Sequence, residues 1–217
     1  MIDLHTHSLF SDGELVPSEL LRRMEVLGYE AVAITDHSDS SNIDFIVPRI
    51  VKVSREINGA QSVRLIPGIE LTHVPPTLIK PLVCKARDLG AAIVVVHGET
   101  VVEPVAPGTN RAAIEAGADI LAHPGLISLE EASLAAEKGV YLEISGRPGH
   151  AFANGHVARM AKEAGAKLII NSDAHGPRDI LSKPLLERIA QGAGLGMNGL
   201  QELMANSRLL LKGIGGF

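Results

Sequence analysis

The sequence of 217 residues has no tryptophan, a single cysteine and aromatic side chains at only 3%. The lone Cys84 excludes an intrachain disulfide, and its apolar neighbours in a predicted helix from Thr77 to Leu89 suggest a buried structural thiol. So few aromatic rings leave little from which to build base-stacking platforms. No apolar run approaches the roughly 20 residues that a membrane-spanning helix needs. An excess of basic residues is missing too. The net charge is −5 with no long basic run, which excludes an extended electrostatic surface for nucleic acid, although a local cationic centre could still hold one phosphate. Met1 to His5 enter an apolar strand directly, without a basic leader, so a cytoplasmic location is expected. Nothing in the pattern sets an oligomeric state.

What the sequence does have is alternation. Short runs rich in Ile and Val alternate with segments of helical period along almost the whole chain. Strands are predicted at Ile2 to His5, Ala31 to Thr35, Val63 to Glu70, Ala91 to His97, Asp119 to His123, Val140 to Ile144 and Lys167 to Asn171. Pro17 suits a first helical position, Ser128 to Glu131 reads as a capping box, and Gly28, Gly90, Gly117, Gly139 and Gly165 stand where helices should stop. With no linker or low-complexity tract, residues 1–217 are expected to form one domain.

Parallel strands joined by helices make either an open sheet or a barrel, and the strand ends decide. An open sheet places its ligand at one switch point, whereas a barrel gathers the C-terminal ends of all its strands around one mouth. Here His5 and His7 close the first strand, His37 follows the second, Glu70 ends the third, His97 the fourth and His123 the fifth. Asp173 and His175 repeat the i, i+2 spacing after the seventh, and Asp12 lies in the first loop. Six of the nine His therefore occupy corresponding positions after separate strands, a register that core packing gives no reason for. The reading is an α/β fold, a distorted seven-stranded TIM-like barrel.

Imidazole and carboxylate without thiolate suit Zn²⁺, Mn²⁺ or Fe²⁺ rather than Ca²⁺. Nine candidates exceed the needs of one tetrahedral ion, so two or three divalent ions are expected, with Glu70 as the bridging carboxylate. Closely spaced ions lower the pKa of a shared water and neutralise phosphoryl oxygens, so attack of a metal-bridging hydroxide on phosphorus is the expected chemistry. The expected substrate is a small phosphate ester, a monoester in preference. Arg147 and Arg178 follow strand ends and could clamp its phosphate, and His150 is the best placed of the remaining His for substrate contact. For His73 and His156 a surface or loop role is expected, and Arg111 falls within a helix. Asp36 should bond a ligand His, and Glu143, if it faces the barrel, should meet a metal-bound His. Glu70, Asp173 and Asp12 are the candidate catalytic carboxylates, Asp12 doubling as a proton donor.

These residues resemble the polymerase and histidinol phosphatase (PHP) superfamily of metal-dependent phosphoesterases. The resemblance is carried by His5-Thr-His7-Ser-Leu-Phe-Ser-Asp12-Gly, Ile34-Thr-Asp-His37, Pro67-Gly-Ile-Glu70, Val96-His97-Gly, Ala122-His123-Pro-Gly and Asn171-Ser-Asp173-Ala-His175. It implies a distorted seven-stranded barrel, with His5, His7, Glu70 and Asp173 holding one ion. Glu70, His97 and His123 would hold a second, and Asp12, His37 and His175 a third. Two rivals stand beside it. An amidohydrolase also begins with His-x-His and ends with Asp, but would not be expected to carry both Thr35-Asp36-His37 and the Asp173-Ala-His175 pair. A polymerase-associated metal-binding module without turnover is the other, since the superfamily also occurs within DNA polymerases.

Overall fold

A computed structural model describes residues 1–214. Seven strands form one parallel sheet in the order β1 (Ile2–Thr6), β2 (Ala31–Ile34), β4 (Arg64–Leu71), β5 (Ile93–His97), β6 (Ile120–Ala122), β7 (Tyr141–Ser145) and β8 (Leu168–Asn171). A two-residue strand, β3 (His37–Ser38), extends the line of β2 and pairs only with β4. The helices are α1 (Pro17–Val26), α2 (Ile43–Ile57), α3 (Pro76–Asp88), α4 (Thr109–Ala116), α5 (Leu129–Lys138), α6 (Asn154–Ala164), α7 (Lys183–Gly192) and α8 (Gly199–Gly213), with a 3₁₀ turn at His150–Ala153.

The sheet curls into a nearly closed barrel. β1 and β8 meet through Leu4 N–H donating to Asn171 Oδ1 at 2.8 Å. Above this, Asp173 N–H donates to the His5 carbonyl at 3.0 Å and His7 N–H to the Ala174 carbonyl at 2.9 Å. This seam brings the ends of the first and last strands together. Its backbone bonds come from the loop after β8, with Thr6 bridging Ala174, and β8 itself contributes the Asn171 side chain.

Strands covered by helices outside and filled by side chains inside should be apolar almost throughout, and β5, Ile-Val-Val-Val-His, is buried along its whole length. The inward positions near the mouth are polar instead. His5 Nδ1 lies 2.9 Å from Glu143 Oε1, which also accepts from Asn171 Nδ2 at 2.7 Å. Asp3 lies on the same face below His5, where burial pushes its carboxyl up to about 6. The seven long strands fall where the apolar runs predict them, to within a residue or two. The expected capping box is present, with Ser128 Oγ accepting from Glu131 N–H at 3.2 Å. Cys84 departs from expectation and is exposed, because α3 buries Ile79, Leu82, Val83 and Ala86 and turns position 84 outward.

Candidate metal centre

Each strand end delivers its side chain to the mouth by a local device. His5 and His7 lie two residues apart in extended chain and share a face, with ring centroids 5.1 Å apart. Gly98, next to His97, lies so close to the Ala122 carbonyl that any Cβ would clash, which keeps the ends of β5 and β6 in contact. His123 and Asp173 turn out of their strands at positive φ, 29° and 55°. Such a conformation costs a non-glycine residue about 1–3 kcal/mol and clusters at functional sites. His73, at φ 51°, is the third such residue among those described.

The nine expected candidates converge. His5 Nε2 stands 3.4 Å from Glu70 Oε1 and 3.8 Å from Asp173 Oδ1, and His7 Nε2 stands 3.2 Å from Asp173 Oδ1. His123 Nε2 lies 3.8 Å from Glu70 Oε1 and 3.7 Å from Asp173 Oδ2. Toward solvent, His175 Nε2 faces His37 Nε2 at 3.3 Å, with Asp12 Oδ1 at 3.2 Å from the former and 3.5 Å from the latter. Three groupings of these residues could each hold an ion, His5, His7 and Glu70; His5, His123 and Asp173; and His7, Asp12, His37 and His175; a fourth joins His97 and His123 to His150, from outside the nine. In the last, His97 and His123 gather with His150 rather than with Glu70.

Electrostatics agree with a site built for cations. His5 Nε2, both ring nitrogens of His7, Glu70 Oε1, His123 Nδ1 and Asp173 Oδ1 are buried without a hydrogen-bond partner. Six such atoms in one place would be costly in a finished core, whereas divalent ions would satisfy them together. Burial and the neighbouring imidazoles hold His7 and His123 well below the usual range, leaving neutral rings with free lone pairs. Burial resists charge on His5, but Glu143, Glu70 and Asp173 outweigh it and push its pKa up. Burial raises Asp173 to about 7, while Glu70 is held low because His5 and His37 outweigh its own burial. A cation taking the place of these protons would leave every ligand in its binding form.

Around the nine lie residues of mixed legibility. Glu143 behaves as expected, orienting the His5 ring through Nδ1. Asp36 does not bond a ligand His. It accepts from Ser8 N–H and Ser8 Oγ, both at 2.7 Å, and from Ser11 Oγ at 2.8 Å, so it shapes the loop that carries Asp12. Arg147 reaches the centre, where Nη1 donates to the Asp173 carbonyl at 3.1 Å and contacts His175 Nδ1. Arg178 does not: it is exposed and lies outside the cavity lining. His150 is buried, stacks on His123 at 4.0 Å, and bonds Thr100 Oγ1 through Nδ1 at 2.7 Å. His156 contacts the Ile127 carbonyl and Arg111 pairs with Glu130, both surface roles.

Sequence reasoning passed over Glu103, which enters the cavity from the loop after β5. Its Oε2 lies 3.0 Å from His97 Nε2 and 3.1 Å from His73 Nε2. The hydrogen bond from His97 is the main cause of a carboxyl held down at about 2. Its one sequence signal is weak, an acidic residue before Pro104 in a loop that follows a candidate ligand.

The PHP domain model matches residues 3–99, a span that holds six of the nine candidates. The chain belongs to the PHP family. An uncharacterized protein of Methanocaldococcus jannaschii is 46% identical over 215 residues, covering 98% of this chain and 99% of that one. Among solved structures, histidinol phosphate phosphatase from Lactococcus lactis, complexed with zinc, L-histidinol and phosphate, aligns with a TM-score of 0.57 at 17% identity. That alignment covers 100% of this chain and 94% of that one. Ochratoxinase from A. niger aligns with a TM-score of 0.63 at 14% identity, over 97% of this chain and 71% of that one. At these identities the two structures share the fold, and the family rests on the sequence.

Proposed function

We propose that the chain is a divalent-metal-dependent phosphoesterase acting on a small phosphate ester, with a monoester preferred. The observation that carries this reading is the cluster of partnerless buried imidazole and carboxylate atoms at the barrel mouth, with an arginine beside it. His5, His7, Glu70 and Asp173 would hold one ion, His97 and His123 together with His150 a second, and Asp12, His37 and His175 a third. Such ions, when bound, supply a water of lowered pKa and neutralise charge on phosphoryl oxygens.

The chain's own residues supply the rest. Glu70, fully buried, would bridge ions, and Glu143 fixes the His5 ring so that Nε2 points inward. Arg147 is placed to exchange its contact with His175 for a charge-assisted bond to a phosphoryl oxygen. Burial favours the neutral form of Asp12, but His175 and His37 outweigh it and keep the carboxyl ionised. Asp12 therefore fits the role of ligand better than that of proton donor.

The cavity, of about 190 Å³, is smaller than the roughly 300–1,000 Å³ of ordinary ligand pockets. That size suits a phosphoryl group with the atoms next to it, and leaves the remainder of a substrate outside the mouth. C–N hydrolysis is the competing chemistry on this fold. The match to the PHP family and the arginine at the centre favour phosphorus. Zinc, manganese and iron each suit the donors. The test is turnover of phosphate monoester, phosphodiester and N-acyl amino acid panels by chelated protein, before and after Zn²⁺ or Mn²⁺ is restored. Metal-dependent release of phosphate from monoesters is expected. Cleavage of diesters alone would shift the substrate class, and cleavage of amides alone would replace the reading.

A further inference from the structure

The segment from Gly98 to Gly108 joins β5 to α4 across the mouth, and it is built to hold a fixed shape. Glu99 Oε1 accepts from Gly108 N–H at 3.0 Å and from Asn110 N–H at 2.9 Å. Asn110 Oδ1 accepts from Glu99 N–H at 2.9 Å, and its Nδ2 donates to the Pro124 carbonyl at 2.9 Å. Thr100 Oγ1 is tied to His150, Pro104 disfavours helical backbone at Glu103, and the Glu103 carbonyl accepts from Val105 N–H at 2.9 Å. Glu103 is therefore presented at a set position.

There it meets an arrangement of the same chemistry as the buried centre. Oε2 of Glu103 lies between His73 Nε2 and His97 Nε2, and Oε1 lies 3.5 Å from His150 Nε2. The His73 and His97 rings are 4.9 Å apart, and ligand atoms of His73, His97 and Glu103 all fall within 4.8 Å of one another. His97 Nδ1 bonds the Gly98 carbonyl at 3.1 Å, so Nε2 is the atom it offers. Backbone strain supplies an independent pointer. The three described non-glycine residues at positive φ are His123, Asp173 and His73, and the first two belong to the buried centre. His73 lies outside it, yet its backbone is bent in the same way, with its ring toward Glu103.

We propose that His73, His97 and Glu103 form a divalent-cation site at the mouth, outside the nine-residue set and sharing only His97 with it. The proposal rests on the reading that the neighbouring centre takes divalent ions. Two imidazoles and one carboxylate form a three-ligand set that suits Zn²⁺ and leaves a coordination position facing the cavity, where a water or a substrate oxygen could bind. Because His97 is shared, an ion here either adds to the centre or draws the His97-bound ion outward toward the loop.

The experiment uses crystals of the whole chain soaked in Zn²⁺, with an anomalous difference map read at the zinc edge. The expected result is a peak about 2.0–2.2 Å from the Glu103 carboxylate and from His73 Nε2. In solution, Zn²⁺ titrations of Glu103→Gln and His73→Ala should each weaken one binding equivalent roughly tenfold or more and leave the others unchanged. Both positions are partly exposed, so the variants should fold. A filled centre with no density at Glu103, and variant isotherms that superimpose on the wild type, would overturn this proposal alone. A wild-type chain that binds no Zn²⁺ would overturn it together with the reading of the centre.

Discussion

The floor of the cavity and its rim use the same residue types at different depths, and the depth sets what each can do. His5, His7, Glu70 and Glu143 on the floor are fully buried or nearly so, whereas Asp12, His37 and Arg147 on the rim keep between a quarter and three-fifths of their side-chain surface exposed. An imidazole or carboxylate on the rim can turn to water if no ion is present. On the floor it cannot, and His5 Nε2, the two His7 nitrogens and Glu70 Oε1 are left partnerless. The floor is thus suited to holding cations, while the rim is free to exchange partners, as the proposed substrate would require.

The contrast can be broken from the floor first. Glu70→Ala should abolish turnover and strip metal from the floor while far-UV circular dichroism stays native; measured activity with a full metal complement would remove Glu70 from the bridging role. Glu143→Ala leaves every proposed ligand in place but frees the His5 ring, together with Asn171 Nδ2 and the His123 N–H that Glu143 also holds. Metal affinity should fall about 10–100-fold, read by competition with a chromophoric chelator. Arg147→Ala tests the rim. A charge-assisted hydrogen bond is worth about 1.5–3 kcal/mol, so kcat/KM for a phosphate monoester should fall about tenfold or more with metal content unchanged. The smallest effects belong outside both regions. Arg178→Ala should leave kinetics unaltered, and Cys84→Ser should move stability by no more than about 0.5 kcal/mol in urea unfolding.

Much of the floor was legible in the sequence because strand periodicity and ligand type coincide there. Alternation in Asp3-Leu-His5-Thr-His7 puts both imidazoles on one face, and the apolar runs of β4 to β8 set the register of the remaining strand ends. The rim was less legible because loops have no period. Glu103 reaches the cavity through tertiary bonds of Glu99 and Asn110, and His150 is buried by a 3₁₀ turn and by stacking on His123, neither of which leaves a local pattern. Two misreadings share a cause. Cys84 has apolar neighbours in sequence but not on its helix face, and Asp36 precedes a candidate ligand yet is claimed by Ser8 and Ser11 of another loop. In both, adjacency along the chain stood in for adjacency in space.

The most direct test of the central claim is the number of divalent ions retained per chain by the purified protein and by Glu70→Ala, measured by elemental analysis after exhaustive dialysis against metal-free buffer. At least two equivalents are expected in the wild type, and a clear loss in a variant that remains folded. A wild-type chain retaining none, and taking up none when Zn²⁺ or Mn²⁺ is supplied, would contradict it.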